Sequence, residues 1–348
     1  MLLHSNTSPC SVAASAIVVS YNSERFIRQC LDAVLASDYP VSEVVVVDNA
    51  SQDETCSVVE SICDARLIRN AENLGFAGGC NVGLSHVTGQ VVAFVNPDVI
   101  VQPSWIGQMA KVMAEEPSVA IAGGKLLYPD QRTIQHAGGF LHYPLALADH
   151  YGYGQPDDGK WDQQRDVEYV TGAAVAARRE ALEDLGGFDE EFFPAYFEET
   201  DLCWRARQAG QRVVYVPSAV GIHYESTTTG KDSYIYYYYY HLNRLRFVLK
   251  NYELDQALHD FFPAEIERLE IISPEEEKRA LDEAYRDILN CTYAQRSQDI
   301  LKAMEQLSKR ASKILRAKCE TSGQNTVSGA NVIHRIWHYV LRTRFKTL

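Results

Sequence analysis

Two short segments carry residue types suited to chemistry on a phosphorylated ligand. Asn73-Leu-Gly-Phe-Ala-Gly-Gly-Cys-Asn-Val-Gly83 is a glycine-rich approach to a helix, and Asn96-Pro97-Asp98 ends the apolar run Val91–Val95 in a carboxylate. Glycines let a polar ligand come close to the backbone, and a strand-end carboxylate suits a divalent cation. Together they predict a site for a phosphorylated nucleotide with a metal on its phosphates.

Further candidates follow the same logic. Asp48 ends the run Val44–Val47 and could hydrogen-bond a base or ribose; as a plain structural residue it would cap a helix. Asp98 alone is equally a turn residue after Pro97. Glu198, Glu199 and Asp201 form an acidic cluster, which a helix N-terminus would also favour. His223 follows a strand and offers a nitrogen ligand or a structural imidazole. No single residue decides; their order along one chain does.

These side chains need a frame. Residues 16–20 are a predicted strand, and Tyr21-Asn22-Ser23 leads into a helix with Phe26, Ile27, Cys30, Leu31, Val34 and Leu35 on one face. Val44–Val47, Ala65–Ile68 and Val91–Val95 are further strands, and Val58, Val59 and Ile62 mark a helix between two of them. Apolar strands alternating with amphipathic helices predict a mostly parallel α/β sheet covered on both faces. Ligands on such sheets bind at the carboxyl ends of the strands, where Tyr21-Asn22, Asp48-Asn49 and Asn96-Asp98 all fall. Residues 152–162 are expected to be a mobile loop, 167–177 a strand, 179–185 a short helix and 212–216 another strand. After about residue 250 the chain turns charged and helical, over 264–290 and 296–318.

Composition narrows the class. The chain has 348 residues, a formal charge of −13 and 46% hydrophobic residues, enough for a packed core. An acidic chain of pI about 5.3 argues against nucleic-acid binding. No run of eighteen apolar residues exists, and Met1 to Ser11 lacks the pattern of a signal peptide. The eight cysteines form no Cys-x-x-Cys pair, which points to free thiols in a reducing cytoplasm. The first strand end has no glycine, so neither a dinucleotide fingerprint nor a P-loop is present.

Val18-Val-Ser-Tyr-Asn22, Val47-Asp-Asn-Ala-Ser51, the 73–83 segment, Asn96-Pro-Asp98, Gly187-Phe-Asp-Glu190, Glu198-Glu-x-Asp-Leu-Cys-x-Arg205 and His223 together resemble family 2 glycosyltransferases, most of all the rhamnosyltransferase-like branch. The resemblance covers roughly 14–250. It implies a GT-A fold over 12–250, with 251–348 as a helical appendage, and inversion at the anomeric carbon. It implies that Asp48 binds the base or ribose with Ser20, Tyr21 and Asn22 around it. Asn73, Gly78, Gly79, Asn81 and Asn96 would border the donor, and Asp98 and His223 would hold Mg²⁺ or Mn²⁺ on its diphosphate. Glu199 would be the catalytic base with Glu198 beside it. The implied donor is dTDP-rhamnose or a UDP-sugar, and the acceptor a glycan or lipid-linked hydroxyl.

Two departures stand out. Asn96 occupies the place of the first carboxylate of the usual Asp-x-Asp, and Glu199 that of the Asp in the usual Glu-Asp. They keep open a catalytically degenerate nucleotide-sugar-binding protein. A nucleotidyltransferase would need a glycine-rich loop after the first strand, absent from Ser20–Arg25. The tail 331–348 sets Ile333, Ile336, Trp337, Val340 and Leu341 against Arg335, Arg342 and Lys346. That pattern predicts a peripheral anchor at the inner membrane face, or packing on the appendage or a second copy in a homodimer.

Overall fold

The computed structural model describes residues 12–225, 233–271 and 275–290. The segment 296–318 and the tail 331–348 lie outside the described residues. The chain divides into two compact units: residues up to 140 with 148–226, and 141–147 with the chain from 227 onward. The helix Tyr234–Asn251, which the sequence grouping 12–250 puts in the first domain, falls in the second unit.

The first unit is an α/β layer structure. Its strands are β1 (Ala14–Ser20), β2 (Val41–Asp48), β3 (Arg66–Arg69), β4 (Val91–Val95), β5 (Val99–Val101), β6 (Val119–Leu127), β7 (Ile134–His136), β8 (Gly139–His142), β9 (Leu147–His150), β10 (Arg165–Asp166), β11 (Ala174–Arg178) and β12 (Arg212–His223). The tip of the β8–β9 hairpin, 141–147, counts with the second unit. Its helices are α1 (Ile27–Leu35), α2 (Thr55–Glu60), α3 (Gly75–Leu84), α4 (Trp105–Glu115), α5 (Arg179–Leu185) and α6 (Glu198–Gln208).

The main sheet runs β10-β12-β6-β11-β4-β1-β2-β3, with β5 added on β12 and β7 on β6. β4, β1, β2 and β3 are mutually parallel, as the apolar runs in β4, β1 and β2 predict; β3, Arg-Leu-Ile-Arg, is the half-exposed edge. β11 runs antiparallel to both β4 and β6, so the sheet is mixed. β11 begins only at Ala174, because Val170–Ala173 form a turn that reaches the carboxyl edge of β4. Every residue of β1 and β4 is buried, and α1 covers them with Ile27, Cys30, Leu31 and Val34.

The second unit holds α7 (Tyr234–Asn251), a helical run through Leu254–Gln256, Ala257–Phe261 and Phe262–Ile271, and the helix Glu275–Asn290. The last helix packs Ala280, Leu281, Ala284, Tyr285 and Ile288 inward. Arg244 on α7 is fully buried and forked onto Glu265, which also accepts from Tyr285 Oη at 3.3 Å. Among the described residues, no helix is long and apolar enough to cross a membrane.

The glycines of α3 have a packing job. A Cβ on Gly79 would sit 2.5 Å from Val19 Cγ1, and one on Gly83 2.5 Å from Ile17 Cγ2. The helix lies on β1 only because both side chains are absent. Gly79→Ala should therefore destabilise the protein by about 1–3 kcal/mol through overpacking. Combining it with Val19→Ala, which removes the clashing methyls, should cost less than the sum of the single changes in urea unfolding. Strict additivity would mean that Gly79 is not held by this contact.

Candidate functional site

The carboxyl ends of the parallel strands carry most of the predicted residues. Ser20 ends β1 and is buried; its hydroxyl donates to Asp48 Oδ1 at 3.1 Å. Asp48 is itself buried at the end of β2, and it accepts from Ser51 N at 2.9 Å and Ser51 Oγ at 2.5 Å. Its carboxylate thus holds the 49–51 turn. Asn22 receives Gln52 N on its side-chain oxygen at 2.8 Å, and Tyr21 is exposed beside it. The outward-facing groups of this corner are therefore Tyr21 and Asn22, with Asp48 as the brace behind them.

The glycine-rich segment is mostly scaffold. Asn73 Oδ1 caps Gly75 N at 2.8 Å, and Phe76 N donates to Pro194 O at 2.9 Å. Gly78 and Gly79 lie inside α3, buried, with Gly79 against β1. Asn81 donates to Phe188 O at 2.9 Å and Glu190 Oε1 at 2.8 Å, and accepts from Phe188 N at 2.9 Å. Its side-chain amide thus holds the 187–190 turn, a structural role beside its expected place bordering the donor. Gly79 likewise has a packing role, for the steric reason given above.

Asp98 and His223 do meet. β12 pairs antiparallel with β5, with His223 opposite Val99 and Gly221 opposite Val101. Tyr224 N donates to Asp98 O at 3.0 Å. This register brings His223 Nε2 to 3.4 Å from Asp98 Oδ1, both side chains mostly buried. Oxygen and imidazole nitrogen together suit Mg²⁺ or Mn²⁺. Among the described residues, no group of three or more His, Cys, Asp or Glu side chains gathers. Among the described residues, a cation here would have two side chains of those types, Asp98 and His223. Asn96 is half-buried one turn away, held by its backbone: N to Ala173 O at 2.8 Å, and O from Val99 N at 3.1 Å.

Glu198 and Glu199 open α6. The two residues before them, Tyr196 and Phe197, both adopt left-handed φ values of 78° and 71°. Such a conformation costs a non-glycine residue about 1–2 kcal/mol, and here it turns the chain sharply into the helix. Glu198 is buried, Glu199 half-buried, and one carboxylate oxygen of each lies inside without a hydrogen-bond partner. Burial pushes the Glu198 carboxyl well above the usual carboxylate range, and the charge of Glu199 pushes it further. Burial also raises Glu199, opposed by the backbone N–H groups of Glu199, Thr200 and Gly172. A carboxylate that is hard to keep ionised is a strong base.

Two short links tie the parts together. Gly172 lies against Glu199, a Cβ there falling 3.5 Å from Glu199 Cβ, while its neighbour Ala173 binds Asn96 N. Asp201 pairs with Arg205 at 2.7 Å, and Arg205 also donates to Leu185 O at 2.7 Å and Gly187 O at 2.9 Å. The acidic motif is thus split between a buried pair at the edge and an ion pair that fixes the 185–187 turn.

Sequence reasoning missed Gly172 and Gln135, and it put Asn49 at the strand end without its tethering role. Asn49, buried, donates to Gly75 O and accepts from Asn70 Nδ2, both at 2.8 Å, so it ties β2 to α3 and the end of β3. Its place directly after Asp48 was the available signal. Gly172 is marked only by its neighbourhood. Gln135, which bonds His223, had no signal at all.

Comparisons with known proteins agree with this architecture. Residues 15–186 match the family described as Glycosyl transferase family 2. The O-antigen biosynthesis protein RfbC of Myxococcus xanthus is 32% identical over 230 residues, 63% of this chain but 18% of that protein. The N-acetylglucosaminyl-diphospho-decaprenol L-rhamnosyltransferase of Mycobacterium tuberculosis is 28% identical over 239 residues, 62% of this chain and 77% of that one. The chain spans less than two thirds of the length of the first curated relatives it matches, as the 18% shows. The solved structure of GalNAc-T7 with UDP, GalNAc and Mn²⁺ aligns over 79% of this chain and 55% of that one. Its TM-score is 0.57 at 15% identity, a likeness of fold. With strand-end carboxylates on a GT-A sheet, the segment 15–186 belongs to glycosyl transferase family 2.

Proposed function

We propose that this chain is an inverting, metal-dependent glycosyltransferase that moves a sugar from a nucleoside-diphosphate donor to a hydroxyl of a glycan or lipid-linked acceptor. One observation carries the reading. The Gly172-Ala173 turn touches Glu199 on one side and Asn96 on the other, so a half-buried, basic carboxylate and the Asp98–His223 pair share one edge of the sheet. The rhamnosyltransferase among the relatives supports rhamnose as the sugar; dTDP-rhamnose is the first donor on this reading and UDP-sugars the next. Action at the inner membrane face through 331–348 belongs to the same proposal.

The chemistry follows from the side chains. Tyr21 and Asn22 offer an open corner for the base and ribose. Glu199 takes the proton of the acceptor hydroxyl as its oxygen attacks the anomeric carbon. The bond from that carbon to the diphosphate oxygen breaks on the opposite face, so the configuration inverts. Asp98 and His223 would hold Mg²⁺ or Mn²⁺, which when bound supplies positive charge for the departing diphosphate. One oxygen of Glu199 lies inside, beside the buried Glu198, which limits the water that reaches the proton acceptor.

A panel of dTDP- and UDP-sugars, read by nucleotide release with Mn²⁺ and an acceptor, tests the reading. Donor binding without transfer or hydrolysis would favour the degenerate binding protein instead. Glu199→Gln should keep donor binding and lower turnover about a hundredfold or more, the scale of a positioned base. Because the Glu199 pKa is raised, the wild-type acid limb of kcat against pH should lie above the ordinary carboxylate value of about 4.3. A dead Glu198→Gln beside an active Glu199→Gln would move the base by one residue.

Glu198 also makes a stability prediction. Its folded pKa is raised, so its contribution is full below the unfolded pKa and is lost as pH rises through the folded one. Glu198→Gln should therefore lessen the fall in Tm between acid and mildly alkaline pH. An unchanged pH dependence of Tm would mean the carboxyl ionises freely in the folded chain.

Asp98→Ala should abolish metal-dependent donor binding, and His223→Ala should weaken it, in calorimetry with Mn²⁺ and the best donor. Full activity in excess EDTA would remove the metal from the mechanism.

A further inference from the structure

Hydrogen-bond direction around His223 can be followed from one end to the other. Glu225 stands two residues past His223 in a left-handed conformation, φ 42°. Its Oε2 lies 3.3 Å from Gln135 Nε2. The amide nitrogen of Gln135 donates there and the carboxylate oxygen accepts. The Gln135 oxygen then faces the other way, 2.7 Å from His223 Nδ1. An amide oxygen also only accepts, so Nδ1 must carry the proton. In a neutral ring that leaves Nε2 bare, and Nε2 is the atom 3.4 Å from Asp98 Oδ1.

Gln135 is built to impose this direction. It is buried on β7, whose neighbours Ile134 and His136 pair with β6. Its backbone oxygen meets His150 Nδ1 at 3.1 Å. Neither end of its amide can turn over without setting oxygen against the Glu225 carboxylate.

We propose that Gln135 and Glu225 are positioning residues that lock His223 in the Nδ1–H tautomer, so that its bare Nε2 and the Asp98 carboxylate face each other as two acceptors around a cation position. The 3.4 Å gap fits this, since it exceeds the 2.7–3.2 Å of ordinary N–H···O bonds. A bonded histidine–aspartate pair would close that distance. The inference rests on the proposed metal-dependent function only for what occupies the position; the tautomer stands on the hydrogen bonds alone.

The test is long-range ¹H–¹⁵N NMR of the full chain labelled at histidine, at a pH about 8, above the ordinary histidine value of about 6.5. The His223 signals are identified by their loss in His223→Asn. The expected wild-type pattern is Nδ1–H with a bare Nε2. Gln135→Leu should convert His223 to the Nε2–H form that free histidine prefers. The exchange Gln135→Glu with Glu225→Gln keeps an acceptor toward Nδ1 and should retain the wild-type pattern. Mn²⁺ added to the same sample should broaden the His223 signals before those of exposed histidines. A wild-type ring that is Nε2–H or doubly protonated overturns the proposal without any variant. So does a Gln135→Leu chain, folded by its amide spectrum, that keeps the Nδ1–H form. If the tautomer is as stated but Mn²⁺ spares His223, the positioning role stands and the metal reading of the site falls.

Discussion

The site depends on where β12 lies against β5 and β6. β12 runs parallel to β6, with Val216 opposite Gly124 and then Val220 opposite Lys125. Pro217, Ser218 and Ala219 loop out between those pairs. Gly124 permits it: a Cβ there would fall 2.1 Å from Ala219 O. Without the bulge, His223 would lie three residues further along, about 10 Å at the usual rise per residue. The bulge draws it back beside Asp98. Proline is tolerated here because a bulge asks no ladder hydrogen bond of it.

The second half of the site is made by desolvation. A helix N-terminus favours negative charge, and Glu198 and Glu199 both lie in the first turn of α6. Burial opposes that and wins, as the upward direction of both carboxyls shows. The left-handed Tyr196 and Phe197 bring the helix start in at this angle, and Arg205 holds the preceding turn by two backbone carbonyls. Other non-glycine residues in the left-handed region, Asn22, Ala50 and Glu225, belong to the same strand-end loops. Strain gathers where the chain must present side chains outward rather than continue an element.

Residue patterns made the strand ends legible: the apolar runs of β1 and β2 close on Ser20 and Asp48, and that of β4 is followed at once by Asn96. The meeting of Asp98 with His223 was legible only through family resemblance, since the bulge that produces it has no periodic signature. The glycines were ambiguous. A glycine that lets a ligand approach and one that lets a helix lie on a strand look alike in sequence, and Gly79 is of the second kind. Asn81 is ambiguous for a similar reason, because an amide binds a turn or a ligand with the same groups. The 152–162 loop, expected to be mobile from its Gly, Pro and Asp content, is tethered: buried Lys125 Nζ meets Asp157 at 2.6 Å and Asp162 at 2.5 Å. Those aspartates look solvated until a lysine in the interior of β6 is placed beneath them. Gln135 was invisible because a three-residue strand has too little length to show a period.

On the proposed reading, Asn96 changes how cation and donor arrive rather than whether they do. Its backbone keeps the turn to Asp98 whatever its side chain, through Ala173 and Val99. What the amide lacks is charge. One carboxylate and one neutral imidazole leave a divalent ion with most of its charge uncompensated, so the protein alone holds it weakly. A diphosphate supplies both the missing oxygens and the missing charge, as is usual for ions bound through few carboxylates. Cation and donor should then bind cooperatively, each poorly without the other, and release of the diphosphate should carry the cation away with it. A second carboxylate at position 96 would hold the ion more firmly between turnovers and weaken its pull on the leaving group. The orientation of His223 matters all the more in such a site, because with so few protein ligands one nitrogen turned the wrong way leaves Asp98 to hold the cation alone.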